Sequence, residues 1–157
     1  MSKIKIAIAD DNRDLVKMME AYFENHDSIE VMFTASNGKV CIKMLEQYRP
    51  DVLLLDIIMP HLDGMGVLEA MYNDENLADI PVIMLTAFGQ DDVMKMAVNY
   101  GASYFMLKPF EFEQLVQKIV HVAGVKVESE KRKSILQPTP NKKMDQRQLD
   151  TTITAII

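Results

Sequence analysis

A chain of 157 residues, 48% hydrophobic and 25% charged with six Gly and six Pro, has the balance of one folded domain with length to spare. That composition excludes a collagen-like or wholly disordered polymer, and a net charge of −6 argues against nucleic-acid binding by these residues alone. No apolar run approaches a membrane span, MSKIKIAIADD lacks a signal-peptide pattern, and the lone Cys41 excludes an internal disulfide, which suits a reducing cytoplasm.

From Lys3 onward two hydrophobic periods alternate. KIKIAIAD (Lys3–Asp10) carries Ile4, Ile6 and Ile8 at period two and predicts a strand ending in acid. Leu15, Met18, Met19, Tyr22 and Phe23 then fall at i, i+3, i+4, i+7 and i+8, one helical stripe. Ile29–Ala35 predicts a second strand, punctuated by Asn37-Gly38, and Cys41, Met44, Leu45 and Tyr48 form a second helix face before Pro50. Val52–Asp56 is apolar on both faces up to its last residue, as a central parallel strand is. MPHLDG reads as a loop, and Val67, Leu68, Met71 and Tyr72 as a helix face. Pro81–Thr86 predicts a fourth strand, and Val93, Met96, Ala97 and Tyr100 a fourth helix with Gly101 in the C′ place. Ser103–Lys108 is a fifth strand, and Phe112, Leu115, Val116, Ile119 and Val120 face a fifth helix.

Five strand–helix repeats predict an α/β fold, a parallel sheet with right-handed crossovers. Five are too few for an eightfold barrel, so the sheet is expected to be open and doubly wound, within a domain spanning 1–124. Residues 125–146 are charged, hold two prolines and show no sustained apolar period, the pattern of a linker. Residues 147–157 regain a helical stripe in Leu149, Ile153, Ile156 and Ile157, and read as the start of a further domain cut short.

On this map five polar residues converge. Asp10 and Asp11 follow the first strand, Asp56 ends the third, Thr86 the fourth and Lys108 the fifth. In an open α/β sheet, ligands bind outside the carboxyl ends of the strands at the switch point. Three carboxylates crowded there need a cation, and oxygen-only ligands favour a hard divalent ion such as Mg²⁺, which completes its shell with water and phosphate. A lysine and a hydroxyl beside such an ion can hold a phosphoryl group, and a carboxylate can attack phosphorus to give an acyl phosphate. Each residue also has a plainer reading. Asp10-Asp11-Asn12 could cap the helix at Arg13, Thr86 could be an ordinary strand-end hydroxyl, and Lys108 could be solvated. Asp56 has no such alternative, because its flanks are apolar.

Asp10-Asp11, Asp56 followed by IIMPHLDG, Thr86-Ala87 and Lys108-Pro109 together resemble the receiver domain of two-component response regulators, over about Lys3 to Val122. The resemblance implies a flavodoxin-like sheet of order 2-1-3-4-5 with helices on both faces. It implies Mg²⁺-dependent phosphorylation of Asp56 by the phosphohistidine of a histidine kinase or histidine phosphotransferase. Asp11 and Asp56 would ligate the metal, Asp10 would help directly or through water, and the Ile58 carbonyl would complete the protein ligands; Ca²⁺ or Mn²⁺ would suit the same set. Thr86 and Lys108 would contact the phosphoryl group, Lys108-Pro109 would be cis, and Phe105 would be the aromatic switch, although its spacing fits a core aromatic equally well. Such a domain is a phosphoacceptor that assists its own phosphorylation and dephosphorylation rather than a turnover enzyme. Many members dimerise on phosphorylation through the face of the fourth helix, fifth strand and fifth helix.

Within the family, DIIMPHLDG, VIMLTAFGQDDV and GASYFMLKPF are similar to the master sporulation response regulators of endospore-forming Firmicutes, and LDTTITAII to the start of their DNA-binding domain. DNA would then be met only through the C-terminal domain. The alternative is a stand-alone phosphorelay receiver, which needs neither the linker nor the stripe after Leu149. An aspartyl-nucleophile phosphatase would want an acid where Ile58 stands, and a flavin carrier a hydroxyl- and glycine-rich loop where ADDNRD stands. His61 reads as a capping or solvated residue.

Overall fold

A run such as Val52–Leu55, with no polar alternate, has no face to give to water and must be covered on both sides. In the computed structural model, which describes residues 2–87 and 91–135 without the side chains of 133–135, it becomes the buried strand β3 (Val52–Asp56). Around it lie β1 (Ile4–Ala9), β2 (Ile29–Ala35), β4 (Val82–Thr86) and β5 (Tyr104–Leu107). The helices are α1 (Arg13–Phe23), α2 (Gly38–Gln47), α3 (Gly64–Tyr72), α4 (Asp91–Asn99) and α5 (Phe112–Ile135). All pairings are parallel, in the order β2-β1-β3-β4-β5 expected of a flavodoxin-like fold.

Strand alternation divides the core between the two faces. Ala7, Ala9, Leu53, Leu55 and Met84 pack with Cys41 and Leu45 of α2, Val67, Leu68 and Met71 of α3, and Ala97 of α4. Ile6, Ile8, Leu54, Ile83 and Leu85 pack with Val16, Met19 and Phe23 of α1 and with Leu115 and Ile119 of α5. Gly101 takes φ +88 and closes α4: its N–H donates to the Val98 carbonyl at 3.0 Å, and the Ala102 N–H to that of Ala97 at 2.9 Å.

Two expectations change. The buried stripe of α1 is Val16, Met19 and Phe23, while Met18 and Tyr22 face outward. Five apolar residues make a stripe wider than one sheet face can cover, so its edge is left over; the Tyr22 ring lies instead 5.1 Å from that of Phe112. The expected linker, 125–146, begins inside a helix, since α5 continues past Gly124 to Ile135. One helical glycine costs about 1 kcal/mol and does not by itself stop a run of Lys and Glu, here with a Lys126–Glu130 pair at 3.9 Å. The chain divides into compact units Met1–Ala123 and Gly124–Ile157, the second described only through Ile135. Residues 136–146 and the stripe of Leu149, Ile153, Ile156 and Ile157 lie outside the described residues. Among the described residues no helix is long and apolar enough to cross a membrane.

Leu54 is fully buried in the middle of the central strand. Leu54→Ala is therefore expected to lower the unfolding free energy by about 2–5 kcal/mol. Urea titration at an unchanged m-value measures this.

Candidate functional site

Parallel strands bring their carboxyl ends to one edge, and the register decides which side chains meet there. Ala9 pairs with Leu55, so Asp10 and Asp56 are the next residues along neighbouring strands. Asp56 pairs with Leu85, one residue before Thr86; Thr86 pairs with Leu107, one residue before Lys108. Asp10, Asp56 and Thr86 are the buried polar residues among those described. They sit at the switch point, where β1 leads outward to β2 and β3 leads to β4.

Local hydrogen bonds fix each group. The Asp10 N–H donates to the Ala35 carbonyl at 3.0 Å, and Asp10 Oδ1 accepts the Asn12 N–H at 2.9 Å. The cap of α1 is Asn12, whose Oδ1 accepts the Leu15 N–H at 3.2 Å, so capping leaves Asp11 exposed and Asp10 pointing elsewhere. Lys108 is not a solvated lysine. Its Nζ lies 2.6 Å from Asp10 Oδ2 and 3.4 Å from Asp56 Oδ1, with the side chain 19% exposed, and its N–H donates to the Thr86 carbonyl at 2.8 Å. The Lys108–Pro109 peptide is cis. Burial first, and then the Asp10 carboxylate, push the Asp56 carboxyl up from 3.8 to about 6, with Lys108 pulling against them. Burial also pushes the Cys41 thiol up to about 12, which makes it a poor nucleophile.

The remaining expected residues lie close by in the chain. Ile58 stands in the loop after β3 with its side chain 62% exposed. Phe105 is half-buried in β5 against the α2–α3–α4 core, opposite Met84. His61 is exposed at φ +68 and does not cap α3; Asp63 does, accepting the Gly66 N–H at 2.8 Å. Sequence reasoning missed the glycines that seat this loop. Gly38 was legible only as punctuation, yet its N–H donates to the Leu62 carbonyl at 2.9 Å.

Asp10, Asp11 and Asp56 each present a carboxylate oxygen, and the three lie within 4.8 Å of one another. Against them stands one ammonium, Lys108, which leaves a net deficit of two positive charges. The donors are all hard oxygens, so the residues fit a divalent cation of the Mg²⁺ kind. Beside the cluster, a groove of about 940 Å³ runs between α1 and residues 108–113, lined by Leu15, Met18, Tyr22, Pro109 and Phe110 among others.

The family described as the response regulator receiver domain matches residues 6–120. Among solved structures, a DNA-binding response regulator of the LuxR family from Staphylococcus aureus is 31% identical, with 76% of this chain and 98% of that one covered at a TM-score of 0.70. The receiver domain of a Francisella response regulator is 24% identical over 78% of this chain and 98% of that one, TM-score 0.70. The chemotaxis protein CheY4 of Vibrio cholerae is 24% identical over 77% and 99%, TM-score 0.70. At 24% identity the last two bear on the fold alone.

A carboxyl raised to about 6 stabilises the fold fully below pH 3.8, where both folded and unfolded chains hold the proton; that contribution is lost as pH rises through about 6. Asp56→Asn should therefore be more stable than the parent at pH 8 without divalent ions, by on the order of 1–2 kcal/mol after allowing for solvent screening. The advantage should shrink as pH falls toward 4. Parallel urea titrations across that range measure it, and a variant less stable at pH 8 would contradict it.

Proposed function

Because the chain belongs to the family of response regulator receiver domains, matched over residues 6–120, we propose that it works as a phosphorylation-controlled switch whose acceptor is Asp56. The observation that carries this reading is the meeting of three carboxylates with Lys108, 2.6 Å from Asp10 and 3.4 Å from Asp56, at the switch-point edge.

The donor is the phosphohistidine of a histidine kinase or phosphotransferase. An oxygen of ionised Asp56 bonds to phosphorus, the P–N bond breaks, and the imidazole leaves with the electron pair and takes a proton, giving an acyl phosphate. The reaction needs Asp56 without its proton, and a divalent cation bound beside it would favour that ionised form. Lys108 is already within ion-pair range of the acceptor and meets the new phosphoryl charge without first being brought in. The Thr86 hydroxyl, buried at the end of β4, donates to a phosphoryl oxygen. Asp10, Asp11, Asp56 and the Ile58 carbonyl would hold Mg²⁺, which would supply positive charge to offset that of the phosphoryl group; Ca²⁺ or Mn²⁺ would suit the same donors. The site assists both phosphorylation and dephosphorylation of Asp56. The groove beside Lys108, with Met18 exposed along it, suits the approach of the histidine-bearing partner.

Movement of Thr86 toward the phosphoryl group leaves room for Phe105 to turn inward, a population shift that reaches α4, β5 and α5. Met96, Val98, Tyr104 and Leu107 are exposed there and suit a homodimer. The cytoplasm is the proposed compartment. A sporulation transcription factor is the proposed setting, supported by the likeness of DIIMPHLDG, VIMLTAFGQDDV and GASYFMLKPF to that branch; DNA would be bound by a C-terminal domain, not by the acidic residues of the receiver.

Incubation with Mg²⁺ and acetyl phosphate should add about 80 Da, one phosphoryl group on a carboxylate. Intact-mass spectrometry should find no adduct in Asp56→Asn, and an adduct at full level there would sink the assignment. Asp11→Asn should weaken Mg²⁺ by about tenfold or more in a calorimetric titration, since it removes a charged ligand.

A further inference from the structure

The loop 57–63, which carries Ile58 between β3 and α3, is seated by main chain at both limbs. At its base the Gly64 N–H donates to the Ile57 carbonyl at 2.8 Å, and a Cβ on Gly64 would lie 2.1 Å from the Asp56 carbonyl oxygen. On the far limb the Gly38 N–H donates to the Leu62 carbonyl at 2.9 Å. A Cβ on Gly38 would lie 2.1 Å from that same oxygen, and 2.7 Å from the Leu62 carbonyl carbon and Cβ. Gly101 is the glycine with positive φ among those described, so Gly38 serves close approach rather than an unusual backbone angle.

The start of α2 cannot easily retreat from this contact. Asn37 caps the helix, its Oδ1 accepting the Val40 N–H at 2.9 Å, and Cys41 and Leu45 are fully buried beneath it. Any side chain at Gly38 therefore pushes the Leu62 peptide, by about 1 Å before the contact becomes tolerable in a close-packed interior. Gly64 pins the other limb, so the displacement passes into residues 58–62.

We infer that Gly38 is a positioning residue for the metal site. By seating α2 against Leu62 it sets where the Ile58 carbonyl stands relative to Asp11 and Asp56, and so favours Mg²⁺ over Ca²⁺. This rests on the ligand set proposed above. Mg²⁺ demands near-ideal octahedral geometry at about 2.0–2.1 Å, whereas Ca²⁺ accepts longer, irregular shells, so a loop shift of this size penalises Mg²⁺ more.

The test is calorimetric titration of the full chain with MgCl₂ and with CaCl₂, without phosphodonor. Gly38→Ala should weaken Mg²⁺ by about tenfold or more and Ca²⁺ by less than about threefold, the scale on which outer supports of a metal site act. Gly124→Ala, whose Cβ would meet nothing within 4 Å, should change neither. Equal losses for the two ions, or no loss for Mg²⁺, would overturn the inference. If Gly38→Ala does not fold, Asn37→Ala takes its place: it loosens the same helix start without a clash and should lower the Mg²⁺/Ca²⁺ preference in the same direction, and an unchanged preference overturns the role. Asp11→Asn separates the two layers. If it leaves Mg²⁺ affinity intact, the ligand set falls and Gly38 with it; if it weakens Mg²⁺ while Gly38→Ala does not, only the positioning role falls.

Discussion

Two carboxylates, Asp10 and Asp56, end adjacent strands of a parallel sheet and are buried there, and Lys108 is the cation that comes to both. Each charge has left water, and the two repel one another, so the ammonium has to offset a desolvation cost of several kcal/mol per ion. It does so incompletely: Asp56 still holds its proton up to about pH 6. Apolar residues at these positions would make a more stable domain. The arrangement makes sense as chemistry held at a cost to stability, at the one place where the sheet opens a crevice.

That ion cluster also constrains the path of the chain. β3 and β4 lie between β1 and β5, which puts β5 about 14 Å from β1 at ordinary strand spacing. A lysine's four-carbon stem does not span that distance, so the chain beyond Leu107 must fold back over the strand ends to deliver Nζ to Asp10. The opposite wall is set by main chain, where Gly38 and Gly64 let backbone meet backbone around the loop 57–63. Support on these two sides is rigid. Elsewhere it is slight: α4 buries Ala97 and β5 buries Met106, and no other residue of either element is fully covered. Elements held by so little burial open at a lower free-energy cost than the core strands.

The sheet order and the convergence of Asp10, Asp11, Asp56, Thr86 and Lys108 could be read without coordinates. Apolar strand runs separated by helical stripes gave an open parallel sheet, the switch-point rule placed the polar strand ends together, and the order 2-1-3-4-5 came from the resemblance to receiver domains. The rotation of α1 was not legible, because Leu15, Met18, Met19, Tyr22 and Phe23 offer more apolar surface than the sheet covers, and only packing selects Val16, Met19 and Phe23. Nor was the extension of α5 past Gly124, where solvated Lys and Glu look alike in a helix and in a linker.

By itself the sequence determined the elements and the chemistry at their ends, because strand alternation and helix period are imposed by local backbone geometry and by the need to bury apolar faces. Only the tertiary structure decided that Lys108 pairs first with Asp10 across 98 residues of chain, that Asp56 titrates near 6, and that Gly38 must lack a side chain. Each of these depends on distances of a few ångström between segments remote in sequence, and no local pattern records such distances.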